Sequence, residues 1–353
     1  MPEHAAMSQP TPDTDRYHAL TIAAVIDETS DAKSLVLTVP PALAGVFAYR
    51  PGQFLTMRVA HPDGALARCY SLSSSPAVDC ALCVTVKRVR DGRASNWICD
   101  HLVAGAVVEV LAPAGVFVPG DLDGDLVLFA GGSGITPMLS IVKTLLARGT
   151  GRAWLLYANR DPQSVIFRAE LAALAAAHPQ RLIVQHWLDA VQGLPSEAQL
   201  QALVARQPAP LACHYFICGP GPFMDAAHAA LKTLKVARER IHIERFVSLS
   251  AAPAPVACES ADAYQLEVAV DGGTHTLDGR AGESLLDSML RAGLRVPNAC
   301  RSGSCGACMC KLEEGSVELR VNAVLDSDDL ADGWTLACQG IPKSDRVRVR
   351  FPD

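Results

Sequence analysis

No run of ~18 apolar residues long enough to span a bilayer occurs in this 353-residue chain, although half of its residues are hydrophobic. The N-terminus, Met1 to Asp15, carries acidic and proline residues but no hydrophobic segment. We therefore expect neither a signal peptide nor an anchor there, and a disordered lead-in over 1–16. Surplus positive charge is also missing. With 31 Lys and Arg against 37 Asp and Glu, the net charge is −6, which speaks against nucleic acid as a partner. A disulfide framework belongs to small secreted domains, and this chain is too long to need one. Cys69, Cys80, Cys83, Cys99, Cys213, Cys218 and Cys258 lie scattered among apolar runs, as buried thiols do.

The remaining cysteines are not scattered. Cys300-Arg-Ser-Gly-Ser-Cys305-Gly-Ala-Cys308, followed by the distant Cys338, has the C-x4-C-x2-C…C spacing of a plant-type [2Fe–2S] cluster held by four thiolates. A compact loop must set three sulfurs around one small core, so Gly303 and Gly306 supply backbone freedom there. The fourth ligand only closes the far side and can come from a distance. Zinc prefers C-x2-C pairs or mixed Cys/His ligands, and the four-residue gap fits it poorly. Cys310 is expected to pack rather than ligate. Reduced cysteines, a cluster and no export signal together point to the cytoplasm.

Three structured regions are expected, in line with ~100–200 residues per domain. Over 17–120 short strands with frequent turns (Ala19–Ile26, Leu35–Val39, Phe54–Val59, Ala81–Lys87, Val107–Leu111) predict an antiparallel β-barrel. Over 121–246 strands alternate with helices: Leu126–Ala130, Pro137–Ala147, Trp154–Ala158, Val165–Ala176. That alternation predicts a parallel α/β sheet. An Ala/Pro/Ser-rich linker over 247–262 would be semi-extended. Over 263–353 a small β-rich domain carries the cysteine loop, with a helix at Ser284–Ala292.

The middle region has two glycine-rich turns, each after a strand. Leu126–Ala130 runs into Gly131-Gly-Ser-Gly-Ile-Thr-Pro137, and His214–Ile217 into Cys218-Gly-Pro-Gly-Pro-Phe-Met224. A strand, a glycine turn and a helix start gather free N–H groups and the helix dipole at one point, which suits a pyrophosphate. Neither turn has the G-x-G-x-x-G spacing, and one alone would be only a tight connection. Two at strand carboxyl ends converge on the crevice where nucleotides bind open α/β sheets. The first region offers Arg68-Cys-Tyr70-Ser71, with a guanidinium for a diphosphate, a ring to stack on a flat cofactor and a hydroxyl for a ring nitrogen. Downstream, Gly92-Arg-Ala-Ser95-Asn96 begins a helix, with Ser95 as expected N-cap and a second set of exposed amides.

In this order the motifs resemble the ferredoxin–NADP reductase superfamily, and more narrowly the single-chain reductases with a C-terminal plant-type ferredoxin domain that serve bacterial oxygenases. The resemblance covers residues 17 to 353. Four longer segments are most similar to the reductase components of 3-ketosteroid 9α-hydroxylases: Ala94-Ser-Asn-Trp-Ile-Cys-Asp, Val110-Leu-Ala-Pro-Ala-Gly-Val-Phe-Val-Pro, Tyr157-Ala-Asn-Arg-Asp and His186-Trp-Leu-Asp-Ala-Val-Gln-Gly-Leu-Pro. The resemblance implies an FAD-binding barrel, an NAD(P)-binding α/β domain and a β-grasp-like ferredoxin domain. Arg68 would hold the FAD pyrophosphate, Tyr70 stack on the isoalloxazine and Ser71 bond near N5. Val84, Val86 and Lys87 would flank the ring, with Gly92, Ala94, Ser95 and Asn96 at the phosphates. Gly132, Ser133, Gly134, Thr136 and Pro137 would receive the nicotinamide dinucleotide, Thr136 lying between the two cofactors. Cys218 and Gly219 would sit near the nicotinamide and Phe246 at the flavin, although a core thiol and a linker-packing ring explain Cys218 and Phe246 almost as well. Cys300, Cys305, Cys308 and Cys338 would hold the cluster.

The implied route runs from NADH through FAD and the cluster to a separate terminal oxygenase, because a flavin accepts a hydride and releases electrons singly. FAD is preferred to FMN because the first domain has its own phosphate-binding helix start. For the nucleotide, Arg160 would attract a 2′-phosphate and Asp161 repel it; the resemblance favours NADH over NADPH. The acidic run Asp326-Ser-Asp-Asp-Leu-Ala-Asp332 reads either as a solvated face or as a surface steering the ferredoxin domain onto a basic patch of the oxygenase. Two rival readings stand beside this one: the reductase subunit of a phenylacetyl-CoA epoxidase, and a redox-sensing protein that uses its cofactors as a switch.

Overall fold

The computed structural model describes residues 17–62, 64–207, 211–246, 263–303, 305–325 and 327–352. The expected lead-in and linker lie outside them. Among the described residues no helix is long and apolar enough to cross a membrane.

The first region is an antiparallel barrel of β1 (His18–Thr29), β2 (Ala32–Thr38), β3 (Phe54–Val59), β4 (Leu66–Ser71), β5 (Leu82–Lys87) and, after helix α1 (Arg93–His101), β6 (Val107–Val110). The strand order is β4-β3-β6-β1-β2-β5. A bridge between Leu72 and Val84 joins the two outer strands and closes the barrel. Alternation decides what fills it: Leu20, Ile22, Leu35, Leu55 and Met57 point inward, and Ile98 of α1 packs on the same core. A register shift in β1 between Ile22 and Ala24 adds the bend that closure requires.

The second region holds β7 (Leu126–Gly131), α2 (Ile135–Arg148), β8 (Ala153–Asn159), α3 (Arg168–Ala177), β9 (Leu182–Leu188), α4 (Asp189–Gln192), α5 (Glu197–Val204), β10 (His214–Cys218), α6 (Gly221–Thr233) and β11 (Ile241–Glu244). Its five strands are all parallel. Every residue of β7 and β8 is buried, which is why these strands read as unbroken apolar runs. The order β11-β10-β7-β8-β9 reverses direction between β7 and β10, so the crevice opens at their carboxyl ends. The helix expected from Val165 starts only at Arg168. Asp161 closes a capping box with Ser164 around a short 3-10 turn, and Phe167 sits in the left-handed region at φ 58°. Helix α2 begins earlier than expected, at Ile135, and takes Pro137 into its first turn, where no intrahelical donor is lost.

The third region contains β12 (Ala263–Val270), β13 (Gly273–Arg280), α7 (Leu285–Arg291), β14 (Met309–Glu314), β15 (Val317–Leu319), α8 (Ser327–Ala331), β16 (Trp334–Leu336), β17 (Gly340–Pro342) and β18 (Arg346–Arg350). A mixed sheet, β13-β12-β18-β14-β16, packs against α7 through Leu285, Leu286 and Met289. Ser284 caps that helix in a box with Asp287. Cys310 lies fully buried in the same core.

Candidate functional site

One cavity is walled by all three regions. Arg68, Cys69, Tyr70 and Ser71 line it from β4, Thr85 and Lys87 from β5, and Gly92, Arg93, Ala94 and Ser95 from the start of α1. Ser133 and Thr136 enter from the α/β sheet, Glu244 and Phe246 from the end of β11, and Cys300 and Cys305 from the cysteine loop. An aromatic ring, an arginine and the amides of a helix first turn therefore surround one space. That set fits a flat cofactor with a diphosphate tail, which is what FAD presents.

Local sequence explains most of these placements, and three differ from expectation. Val84 and Val86 point into the barrel core, so their side chains do not flank the cavity; the alternating residues Thr85 and Lys87 do. Gly92, not Ser95, is the N-cap of α1. Ser95 falls in the first turn, where its hydroxyl accepts from the Val89 amide at 3.1 Å. Asn96 does not line the cavity; its side-chain amide folds back to donate to the Val89 carbonyl at 3.2 Å.

The two glycine-rich turns lie backbone against backbone. A Cβ on Gly134 would stand 2.1 Å from the Cys218 carbonyl oxygen, and one on Gly219 would stand 2.9 Å from the Gly131 Cα. Only glycine permits this approach. The Tyr157 hydroxyl donates to the Gly132 carbonyl at 3.0 Å and accepts from the Ile166 amide at 3.2 Å. The Thr136 hydroxyl donates to the Ser133 carbonyl at 3.0 Å. Pro137 is buried in α2 beside Thr136. Cys218 is fully buried, and burial together with Glu244 pushes its thiol well up. It stays protonated, a packing group at the nucleotide crevice rather than a nucleophile.

Glu244 is the residue that sequence reading passed over. β11 pairs with β10 so that Glu244 lies beside Cys218. The Ser71 hydroxyl donates to its Oε2 at 3.0 Å, linking the barrel to the α/β sheet across the cavity. Burial raises this carboxyl from 4.5 to about 8, with the Ser71 hydrogen bond opposing the rise. The signal was present in Ile243-Glu-Arg-Phe246, where the aromatic residue is the more conspicuous. Phe246 itself lines the cavity and remains 44% exposed.

A raised carboxyl has a definite linkage. Between pH ~4.5 and ~8 the folded chain holds a proton on Glu244 that the unfolded chain has released, so stability falls as pH rises through that window. Glu244→Gln keeps a neutral acceptor for Ser71 and should flatten the fall. Thermal melts at pH 5 and pH 8.5 check this; equal pH dependence in both proteins would contradict it.

The cysteine thiols come together in two pairs. Cys300 interacts with Cys305, and Cys308 interacts with Cys338, whose backbone amide also donates to the Cys308 sulfur at 3.4 Å. The Ser302 amide donates to the Cys300 sulfur at 3.4 Å. Among the described residues no three metal-ligating side chains form a site for a single ion. Two thiol pairs, with backbone donors aimed at the sulfurs, fit the four-thiolate donor set of a two-iron core. Gly303 takes φ +72°, and a Cβ there would meet the Val321 carbonyl oxygen at 2.6 Å.

The acidic run is turned onto the chain's own second domain. Asp328 pairs with Lys232 of α6 at 2.6 Å, and Asp329 pairs with Arg238; Asp326 lies outside the described residues. Lys232→Glu would set like charges against each other and is expected to slow flavin-to-cluster transfer several-fold. Single pairs of this kind contribute ~0–1 kcal/mol, and added salt should narrow the gap between variant and parent in stopped-flow traces. Identical kinetics would exclude a role for this contact.

Comparison with known proteins follows the same division. The chain matches the oxidoreductase FAD-binding domain over residues 19–118, the oxidoreductase NAD-binding domain over 128–229 and the 2Fe-2S iron-sulfur cluster binding domain over 268–343. It is 49% identical over 348 residues to the ferredoxin reductase component of 3-ketosteroid-9-alpha-monooxygenase from Rhodococcus rhodochrous, covering 96% of this chain and 98% of that one. It is 36% identical over 348 residues to a subunit of the 1,2-phenylacetyl-CoA epoxidase of Escherichia coli, covering 95% and 98%. Among solved structures it resembles phthalate dioxygenase reductase, with a TM-score of 0.60 and 27% identity over 97% of this chain and all of that one.

Proposed function

Because the chain belongs to the FAD-, NAD- and [2Fe–2S]-binding reductases that include the ferredoxin reductase component of 3-ketosteroid-9-alpha-monooxygenase, we propose that it carries electrons from NADH to a terminal oxygenase acting on a 3-ketosteroid. One observation carries the electron route: Tyr70 and Ser71 line the same cavity as Cys300 and Cys305, so flavin and cluster would be neighbours. The steroid assignment rests on identity, 49% against 36% for the epoxidase relative, each over 348 residues. The domain limits we assign are 17–120, 121–246 and 263–353, joined by a linker over 247–262.

When bound, FAD would supply the chemistry that joins a two-electron hydride donor to a one-electron cluster. The chain's own residues position the partners. Arg68 and the first turn of α1, from Gly92 to Ser95, hold the pyrophosphate, and Tyr70 supplies a flat wall. Ser71 and Glu244 form a buried hydroxyl–carboxyl pair where the flavin edge would lie, so a proton can be held there without a charge. Gly132 to Thr136 and Cys218–Gly219 shape the nicotinamide crevice, and Phe246 lines the flavin cavity just beyond β11. Cys300, Cys305, Cys308 and Cys338 would hold the two irons of the cluster. Arg160 is engaged by Asp31 at 3.3 Å, which offsets the charge that a 2′-phosphate would need and supports NADH.

The test is a coupled assay. Purified protein, NADH and a purified steroid 9α-hydroxylase oxygenase should yield 9α-hydroxylated 3-ketosteroid. Rapid reduction of an artificial acceptor without steroid product would keep the reductase and reject this partner.

A further inference from the structure

The middle residue of Arg68-Cys69-Tyr70 holds neither cofactor nor substrate in this scheme, yet it occupies an unusual place. β3 and β4 pair so that Thr56 stands opposite Cys69. Leu55 and Met57, on either side of Thr56, point into the barrel. Alternation therefore turns Thr56 and Cys69 to the outer face of the barrel. That face meets the ferredoxin domain: Cys69, Cys300 and Cys305 line the same cavity, close enough for the Cys69 and Cys305 thiols to interact. Thr56 is 1% exposed, and its hydroxyl lies 3.5 Å from the Cys69 sulfur.

The order of these groups sets the direction of their hydrogen bonds. A thiolate bound to iron keeps negative charge, so it is the strongest acceptor at this point. The Cys69 S–H is the donor it faces. Thr56 can then satisfy its own buried hydroxyl by donating to the Cys69 sulfur. The result is a chain from Thr56 through Cys69 to Cys305, running from the strand beside the flavin motif to a ligand of the cluster. Hydrogen bonds to cluster sulfurs are one of the means by which a protein sets a cluster's potential.

We propose that Cys69 is a positioning residue for electron transfer, donating a hydrogen bond across the domain boundary to the Cys305 sulfur and thereby raising the reduction potential of the cluster toward that of the flavin. The bond exists only when the ferredoxin domain is seated on the barrel. It favours the electron's arrival in the seated arrangement and is lost when the domain leaves. This rests on the reading of Cys305 as a cluster ligand.

The experiment is an EPR-monitored redox titration of the full-length protein carrying both cofactors, with Cys69→Ala, Cys69→Ser and Thr56→Val beside the parent. Cys69→Ala should lower the cluster midpoint. The electron's partition between flavin and cluster should shift by up to about tenfold, which is ~59 mV for a one-electron couple. Cys69→Ser, whose hydroxyl still donates, should recover most of the shift. Thr56→Val, whose side chain does not line the cavity, should give a smaller shift of the same sign and covers the case in which Cys69→Ala loses flavin. An unshifted or raised midpoint in Cys69→Ala with normal flavin content would overturn the proposal. Equal shifts in the alanine and serine variants would also overturn it, leaving only a packing role. A parent protein with no [2Fe–2S] signal would instead overturn the assignment of Cys305 as a ligand, so the two failures are told apart.

Discussion

Cys300→Ser is expected to cut NADH-dependent reduction of the oxygenase by about 100-fold or more, because the cluster needs four thiolates and a serine hydroxyl stays protonated at neutral pH. Reduction of ferricyanide, which can take electrons directly from the flavin, should stay within about twofold of the parent. The asymmetry follows from the architecture. Cys300 sits on a loop of the third domain, whereas Arg68, Tyr70 and Ser71 belong to a barrel with its own core. Among the described residues, none from the cysteine loop belongs to the barrel core. Steady-state rates with the two acceptors, with iron and flavin contents measured on the same samples, make the comparison. A variant that still drives the oxygenase at full rate would mean electrons leave the flavin by another path.

Gly134→Ala should produce a loss of comparable size at the opposite end of the route. The new methyl would lie 2.1 Å from the Cys218 carbonyl oxygen, 2.4 Å from its carbon and 2.8 Å from the Gly219 nitrogen. All three atoms belong to backbone, so no rotamer change relieves the clash. The two turns that shape the nicotinamide crevice would have to separate, and overpacking of this kind costs ~1–3 kcal/mol or more. Flavin reduction by NADH is expected to slow about 100-fold, since a displacement near 1 Å can cost that much when reacting groups must be held in contact. FAD content should remain normal. Gly221→Ala is the matched control: a Cβ there meets nothing within 4 Å, and the substitution should be nearly silent. Stopped-flow reduction at several NADH concentrations reads both. Parent-like kinetics in Gly134→Ala would show that the close approach of the two turns does not matter to hydride transfer.

What was legible in the sequence was what local spacing encodes. The cysteine pattern, the unbroken apolar strands and the glycine turns each carry their meaning within ten residues or so. The barrel and the parallel sheet followed from alternation and from the rhythm of strands and helices. What was missed depends on partners distant in the chain. Glu244 gains significance only when β11 lies beside β10 and its carboxyl meets Ser71, 173 residues away. The acidic run around Asp328 reads as a free surface because its partners, Lys232 and Arg238, come from another domain. Cys69 looks like one more buried thiol until the third domain is placed against it. Two misreadings are local. Strand alternation, applied strictly, puts Thr85 rather than Val84 and Val86 toward the cavity, and Ser95 reads as a cap only when the helix start is set later than Gly92.

The most direct test of the electron route is a single-turnover stopped-flow experiment with NADH in the absence of any acceptor, following flavin and cluster absorbance together. Flavin bleaching is predicted first, with a rate that depends on NADH, and cluster bleaching second, with a rate independent of NADH. Cluster bleaching that precedes the flavin's, or that never follows it, would contradict the path from NADH through FAD to [2Fe–2S].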